Sequence, residues 1–297
     1  MKVAALTLAF AAGSVLADAP KLPSNTQWKK TLFLDDFTGR SGSTFDRTKW
    51  QAATGTSYPG GPPAWGTWEV QTYTDSLNNV RQAGNSELWI IPRKASNGNW
   101  TSARLETRAS NFKAPAGGKL RVEASIKMPN VSGASAAGYW PAFWALGGSF
   151  RGNYWSWPSV GEIDIMENVN GQDTVTTAIH CDKNPGGICN EPSGLGATHS
   201  CSGSRCPGNY HVYEMIIDRT TKPERMRFYV DKRLVRTVSQ TQLGNVWDQT
   251  VNQGFYLVLN VAMGGAFPDA IAGSKTPTGN TVSGRQMAVD YVVVWST

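Results

Sequence analysis

The chain has 297 residues, with 31 Gly, 16 Pro and 12 Trp but few long apolar helical patterns, which favours a single all-β domain. Lys and Arg exceed Asp and Glu by 28 − 22 = 6. The basic residues are scattered and do not interleave with aromatics along a groove, which excludes a nucleic-acid binder, and the positive balance reads as a solubility feature.

Taken in order, residues 1–17 carry Lys2, an apolar run over residues 3–12, and Val15-Leu16-Ala17 before Asp18. This pattern reads as a secretory signal peptide cleaved after Ala17, leaving residues 18–297 as one soluble, extracellular domain. No later apolar run approaches the ~18 residues that span a bilayer, and the strand-like C-terminus is too short for a lipid-anchor signal. Residues 31–37 read as a first strand. Residues 57–68 are rich in Pro, Gly and Trp and form a loop, with Trp65 and Trp68 either at the rim of a site or packed into the loop. Strands are expected over residues 69–74, 87–93, 102–108 and 118–128. Asn99-Trp100-Thr101 and Asn130-Val131-Ser132 are N-glycosylation acceptors and belong on the surface.

Residues 138–146 read GYWPAFWAL. Period two places Trp140, Ala142 and Trp144 on one face, with Tyr139 and Phe143 opposite. Pyranose rings present flat C–H faces that stack on indole, so Trp140 and Trp144 read as sugar platforms. Residues 147–157, with Phe150, Tyr154, Trp155 and Trp157 among glycines, form the following loop.

Residues 157–168, WPSVGEIDIMEN, alternate acidic and aliphatic side chains, so they read as a strand with Glu162 and Asp164 on one face and Ile163 and Ile165 on the other. On a regular strand Glu167 would join the isoleucines. One extra residue at Met166, taken up as a β-bulge, returns it to the acidic face. Like charges on one strand face repel and favour protonation of one of them. That arrangement suits glycoside hydrolysis with retention, which needs a carboxylate nucleophile and an acid/base carboxyl about 5–5.5 Å apart. Glu162 is assigned as nucleophile and Glu167 as acid/base, with Asp164 hydrogen-bonding the nucleophile. A solvated acidic face or a divalent-cation site is the competing reading.

Residues 176–181 form the neighbouring strand and end in a Gly/Pro/Ser-rich loop carrying Cys181, Cys189, Cys201 and Cys206. Two disulfides fit a secreted chain, with three connectivities open; the spacing lacks the paired C-x2-C of a zinc site. Three histidines and no G-x-S-x-G elbow leave a serine triad unsupported. Strands at 211–218, 225–230, 234–238, 254–261 and 287–295, with a helical turn at 242–247, complete an antiparallel β-sandwich.

The Glu-x-Asp-x-x-Glu pattern in WPSVGEIDIMEN, together with WPAFW, GG-x-F-P at 264–268 and VDYVVV near the C-terminus, resembles glycoside hydrolase family 16 over residues 32–295. The bulged motif is similar to the branch containing the endo-β-1,3-glucanases, or laminarinases. The resemblance implies a jelly roll with a concave sheet forming an open substrate cleft. It implies that Asn79 reaches the cleft, and that Arg104 hydrogen-bonds sugar or a catalytic carboxylate. His180 is expected beside the acid/base residue. It further implies a structural calcium near Asp36 and Asp290, with no cofactor required for the chemistry.

Phe267 stands where the family has Trp, and the loop from Cys181 to Cys206 departs from the generic pattern. Both leave the sugar open. The expected function is endo cleavage of β-1,3-linked polysaccharide, most simply β-1,3-glucan, by a secreted monomer. An endo-β-1,3-galactanase with the same mechanism, transglycosylation by the same intermediate and a non-catalytic β-glucan-binding protein are the alternatives.

Overall fold

Segments of period-two alternation become strands, and most of these pair into two antiparallel sheets packed face to face. The computed structural model describes Lys21 and residues 27–297; the signal-peptide reading of residues 1–17 lies outside them. The seven-stranded sheet runs, edge to edge, Ala197–His199, Val175–His180, Glu162–Glu167, Tyr139–Gly147, Phe255–Met263, Arg104–Thr107 and Trp50–Ala53. In the eight-stranded sheet the central Lys119–Lys127 strand lies between Tyr210–Asp218 and Met287–Ser296, and Lys30–Asp35 also pairs with the latter. Few helical turns interrupt this pattern, at Gln240–Leu243, Trp247–Thr250 and Ala266–Ala272.

The core lies between the sheets. Phe143, Ile163, Ile179, Leu257 and Leu259 from one sheet join Val122, Ile126, Met215, Ile217, Val292 and Val294 from the other, all fully buried. Burying one such side chain stabilises the fold by ~1.5–3 kcal/mol. A one-residue slip of the acidic strand would therefore expose isoleucine and bury carboxylate, and register is strongly specified.

Three expected strands differ in detail: of residues 87–93, Leu88–Ile90 joins the eight-stranded sheet and Arg93–Lys94 a small third one. Of residues 69–74 only Thr72–Tyr73 is strand, and it pairs parallel with Trp100–Ser102 in that third sheet. The preceding residues pair elsewhere: the Val70 N–H donates to the Met263 carbonyl, while the Glu69 carboxylate accepts from Thr67 Oγ1, Gln71 Nε2 and Tyr73 Oη at 2.7–2.9 Å. The segment at 102–108 breaks at Ala103, so that Arg104–Thr107 enters the seven-stranded sheet on its own.

The helical turns after residue 239 are tied down by Glu224, which is almost fully buried. It accepts from Trp247 Nε1 at 2.9 Å, Asn252 Nδ2 at 2.7 Å and Lys222 Nζ at 2.6 Å. Burial pushes its carboxyl upward, but the bonds from Lys222, Asn252 and Trp247 and the charge of Arg219 outweigh it and hold it at about 2. Glu224→Ala leaves the Trp247 indole N–H unsatisfied and should cost about 1–3 kcal/mol in urea unfolding at neutral pH. A carboxyl depressed in the folded state stabilises above its unfolded value and ceases to do so as pH falls through its folded value. The gap between wild type and variant should therefore narrow from about pH 4 down to about pH 2.

Candidate active site

The acidic strand shows the bulge expected from its sequence. Glu162 lies opposite Leu146 on one neighbour and His180 on the other; Asp164 lies opposite Trp144 and Ala178. The register then shifts, and Glu167 lies opposite Ala142 and Thr176. Positions 142, 144 and 146 share one strand face, as do 176, 178 and 180, so all three carboxylates emerge on the sheet face turned away from the core. Asp164 and Glu167 are buried and Glu162 is partly exposed.

Burial and the neighbouring Asp164 push both Glu162 and Glu167 upward, Glu167 to about 8. The two titrate as an interacting pair rather than independently. The charges of His180 and Arg104 favour the ionised form of Glu162. Glu167 receives the Trp140 Nε1–H at 2.8 Å. Burial alone would pull the His180 imidazole down, but its hydrogen bonds to Asp164 and Glu191 and the charge of Glu162 push it well above its ordinary value. Donor atoms of Glu162, Asp164 and His180 all lie within 4.8 Å of one another, a spacing that would admit a divalent cation.

Trp140 and Trp144 flank the carboxylates, half-buried on the same face. Trp144 Nε1 donates to Asn260 Oδ1 at 2.7 Å, Asn260 Nδ2 donates to Tyr73 Oη at 3.1 Å, and Tyr73 passes the chain to Glu69. The Arg104 guanidinium lies 4.7 Å from the Trp144 ring centroid and 4.9 Å from that of Trp65. Phe267 meets Trp140 edge-on at 5.8 Å.

Three expected roles change. Arg104 makes no hydrogen bond to Glu162, Asp164 or Glu167: it is buried, with Nε 3.2 Å from Glu106 Oε1 and Nη2 donating to Tyr58 Oη at 2.7 Å, and its guanidinium packs over the Trp144 ring from the same sheet face. Asn79 is also buried, and its side chain is taken up by Thr74, the Ile91 carbonyl and Thr101. Its amide joins the loop after Tyr73 to neighbouring segments and does not reach the carboxylates. His180 stands at the Glu162 end, its Nε2 3.4 Å from Asp164 Oδ2 and 3.9 Å from Glu162 Oε1, whereas Glu167 faces Thr176.

The cysteines pair as Cys181–Cys189 and Cys201–Cys206. Asn99 and Asn130 are exposed. Asp36 lines a polar recess with Asp35, Asp46, Lys49 and Gln82, and Asp290 is buried in its strand outside that recess. Among the described residues neither Asp36 nor Asp290 belongs to a close group of three carboxylate or imidazole side chains. Sequence reasoning missed Glu191, Glu106, Tyr58 and Asn260. Nothing local marks Glu191, Tyr58 and Asn260, because each acts through a partner distant in the chain or across a loop, whereas Glu106 lies two residues from Arg104 on the same strand.

Residues 74–204 match the family model described as an XgeA-like, catalytic GH16 domain. The solved endo-1,3-beta-glucanase of Streptomyces sioyaensis is 51% identical and superposes with a TM-score of 0.90, over 94% of this chain and 99% of that one. The beta-glucanase of Rhodothermus marinus is 31% identical over 264 residues, 84% of this chain and 80% of that protein. The glucan endo-1,3-beta-glucosidase A1 of Niallia circulans is 30% identical over 292 residues, 89% of this chain, but this chain spans only 37% of that protein.

The Trp140 hydrogen bond holds down the Glu167 ionisation. Trp140→Phe should raise it above about 8 while leaving the fold intact, as read by infrared titration of the carboxyl band. An unchanged titration would mean that the indole does not touch the ionising oxygen in solution.

Proposed function

The chain belongs to glycoside hydrolase family 16, and on that premise we propose that it is a retaining endo-β-1,3-glucanase acting outside the cell. The observation that carries the reading is the bulged strand, which presents Glu162, Asp164 and Glu167 on one face beside Trp140 and Trp144. In the proposed reaction a glucosyl residue stacks on Trp144 with its anomeric carbon at Glu162. The Glu162 carboxylate attacks that carbon while Glu167, protonated at neutral pH, delivers its proton to the departing oxygen. The glycosyl ester is then opened by a water whose proton returns to Glu167, with net retention. Asp164, between the two, keeps like charge beside Glu167 and raises it, which helps it arrive protonated.

The substrate assignment is supported by the 51% identical Streptomyces sioyaensis endo-1,3-beta-glucanase, which this chain covers almost completely. Extracellular location is supported by the residue pattern of the first 17 positions and by two disulfides, which persist in oxidising compartments. A structural calcium near Asp36 and Asp290 is a separate proposal: calcium takes oxygen ligands, so backbone carbonyls would have to complete the set. Removal by a chelator should then lower the melting temperature without altering the site.

Product analysis on laminarin, mixed-linkage β-glucan and β-1,3-galactan tests the function. Laminarin should yield oligosaccharides of internal cleavage, with the β-anomer appearing first by proton NMR. Glu162→Gln should abolish turnover, and Glu167→Gln should lower it about 10²–10⁴-fold. Cleavage of galactan alone would keep the mechanism and overturn the sugar. Binding without cleavage of any polymer would replace the enzyme by a glucan-binding protein. The pH dependence of kcat/KM should be bell-shaped, its alkaline limb near the Glu167 value of about 8 and its acid limb set by Glu162. A profile flat through pH 8 would contradict Glu167 as the acid.

A further inference from the structure

We propose that the cystine-bridged loop after the His180 strand completes the catalytic centre, with Glu191 as the positioning residue that holds the His180 imidazole against Asp164 and Glu162. The inference rests on the glycosidase reading above and deepens it.

Glu191 has a fully buried carboxylate, and both of its oxygens are used. Oε2 lies 2.7 Å from His180 Nδ1, and Oε1 accepts the Cys181 backbone N–H at 2.8 Å. The loop that delivers it is closed on itself three ways. Cys189, two residues earlier, is bonded to Cys181. Glu191 and Gly186 exchange backbone hydrogen bonds at 2.7 and 2.8 Å, and Leu195 and Ile179 do so at 2.9 and 3.1 Å.

The same loop packs the ring. Gly194 has φ +68°, and a Cβ there would sit 2.6–2.9 Å from three ring atoms of His180, so only glycine allows the backbone this close. The Trp157 ring lies 5.4 Å away by centroid. With Nδ1 bound and the ring packed, Nε2 can point only toward Asp164 Oδ2 at 3.4 Å and Glu162 Oε1 at 3.9 Å.

A carboxylate this buried keeps its charge only when paired, and among the described residues His180 is the cation in ion-pair contact with Glu191. A doubly protonated imidazole hydrogen-bonds Glu191 on one side and turns its second N–H toward the acidic strand on the other, in ion-pair range of Asp164 and Glu162. The groups facing the ring are therefore Glu191 from the loop, Asp164 and Glu162 from the acidic strand, Glu167 further along that strand, and the uncharged Trp157. Glu191 does not touch the substrate in this arrangement. It acts by keeping His180 cationic and oriented, which favours the ionised nucleophile.

The test uses the mature chain and Glu191→Gln, which keeps shape and can still accept from Nδ1 but carries no charge. The chain has only three histidines, so the His180 signal is assignable by comparison with His180→Gln in NMR of nitrogen-labelled imidazole. The proposal expects wild-type His180 to carry both ring protons above pH 7, and Glu191→Gln to move its titration down by about one pH unit or more. It also expects the acid limb of kcat/KM to move up by about half to one unit and kcat to fall about tenfold, with KM within twofold. Glu191→Asp, which restores the charge, should recover part of both shifts.

A wild-type His180 that is neutral at pH 6 overturns the proposal and needs no variant. So does a Glu191→Gln protein whose melting temperature falls while its His180 titration and pH profile match wild type. A wild type inactive on every polymer would sink the glycosidase reading alone, since the His180 titration is read without substrate.

Discussion

Three carboxylates on one face of one buried strand set the terms for everything around them. Two unit charges about 5 Å apart repel by roughly 3 kcal/mol at the effective dielectric of a protein interior near its surface. Asp164, Glu162 and Glu167 therefore cannot all be ionised without nearby cations. The structure answers with one proton and two cations. Glu167 is pushed to about 8 and carries the proton at neutral pH. His180 stands at the other end of the row and Arg104 farther off, and both favour charge on Glu162. Burial and Asp164 raise both Glu162 and Glu167, and the cations oppose that rise at Glu162.

The scaffold beneath this row is built so that little in it can move. Trp144 is fixed at its indole nitrogen by Asn260, through Tyr73 to Glu69. Beside it packs Arg104, which is itself tied to Glu106 and Tyr58. A ring held in place before a ligand arrives gains, because ordering it on binding would subtract from affinity. The Glu69 that anchors this chain lies in the irregular segment at 69–71.

The acidic row was legible in the residues because it is a local property. Period two and one extra residue decide which side chains share a face, and the bulge lies where the Glu-x-Asp-x-x-Glu spacing demands it. Trp140 and Trp144 were legible for the same reason. Arg104, Asn79 and His180 were placed near the site by resemblance, but apart from Glu106 beside Arg104 their partners came from other segments. Arg104 turned to Glu106 and Tyr58, Asn79 to Ile91 and Thr101, and His180 to the nucleophile end with Glu191 behind it.

What the sequence determined by itself is therefore the all-β architecture, the acidic row and its aromatic flank, all consequences of alternation along single strands. Four cysteines within one loop declared two bridges but left three pairings equal, since spacing carries no information about direction in space. Only the tertiary structure decided which cations face which carboxylate, which tryptophan donates to Glu167, and that the bridged loop returns Glu191 and Gly194 to His180. Those contacts depend on hydrogen-bond distances of about 3 Å between groups on different elements. No pattern within a single strand encodes them.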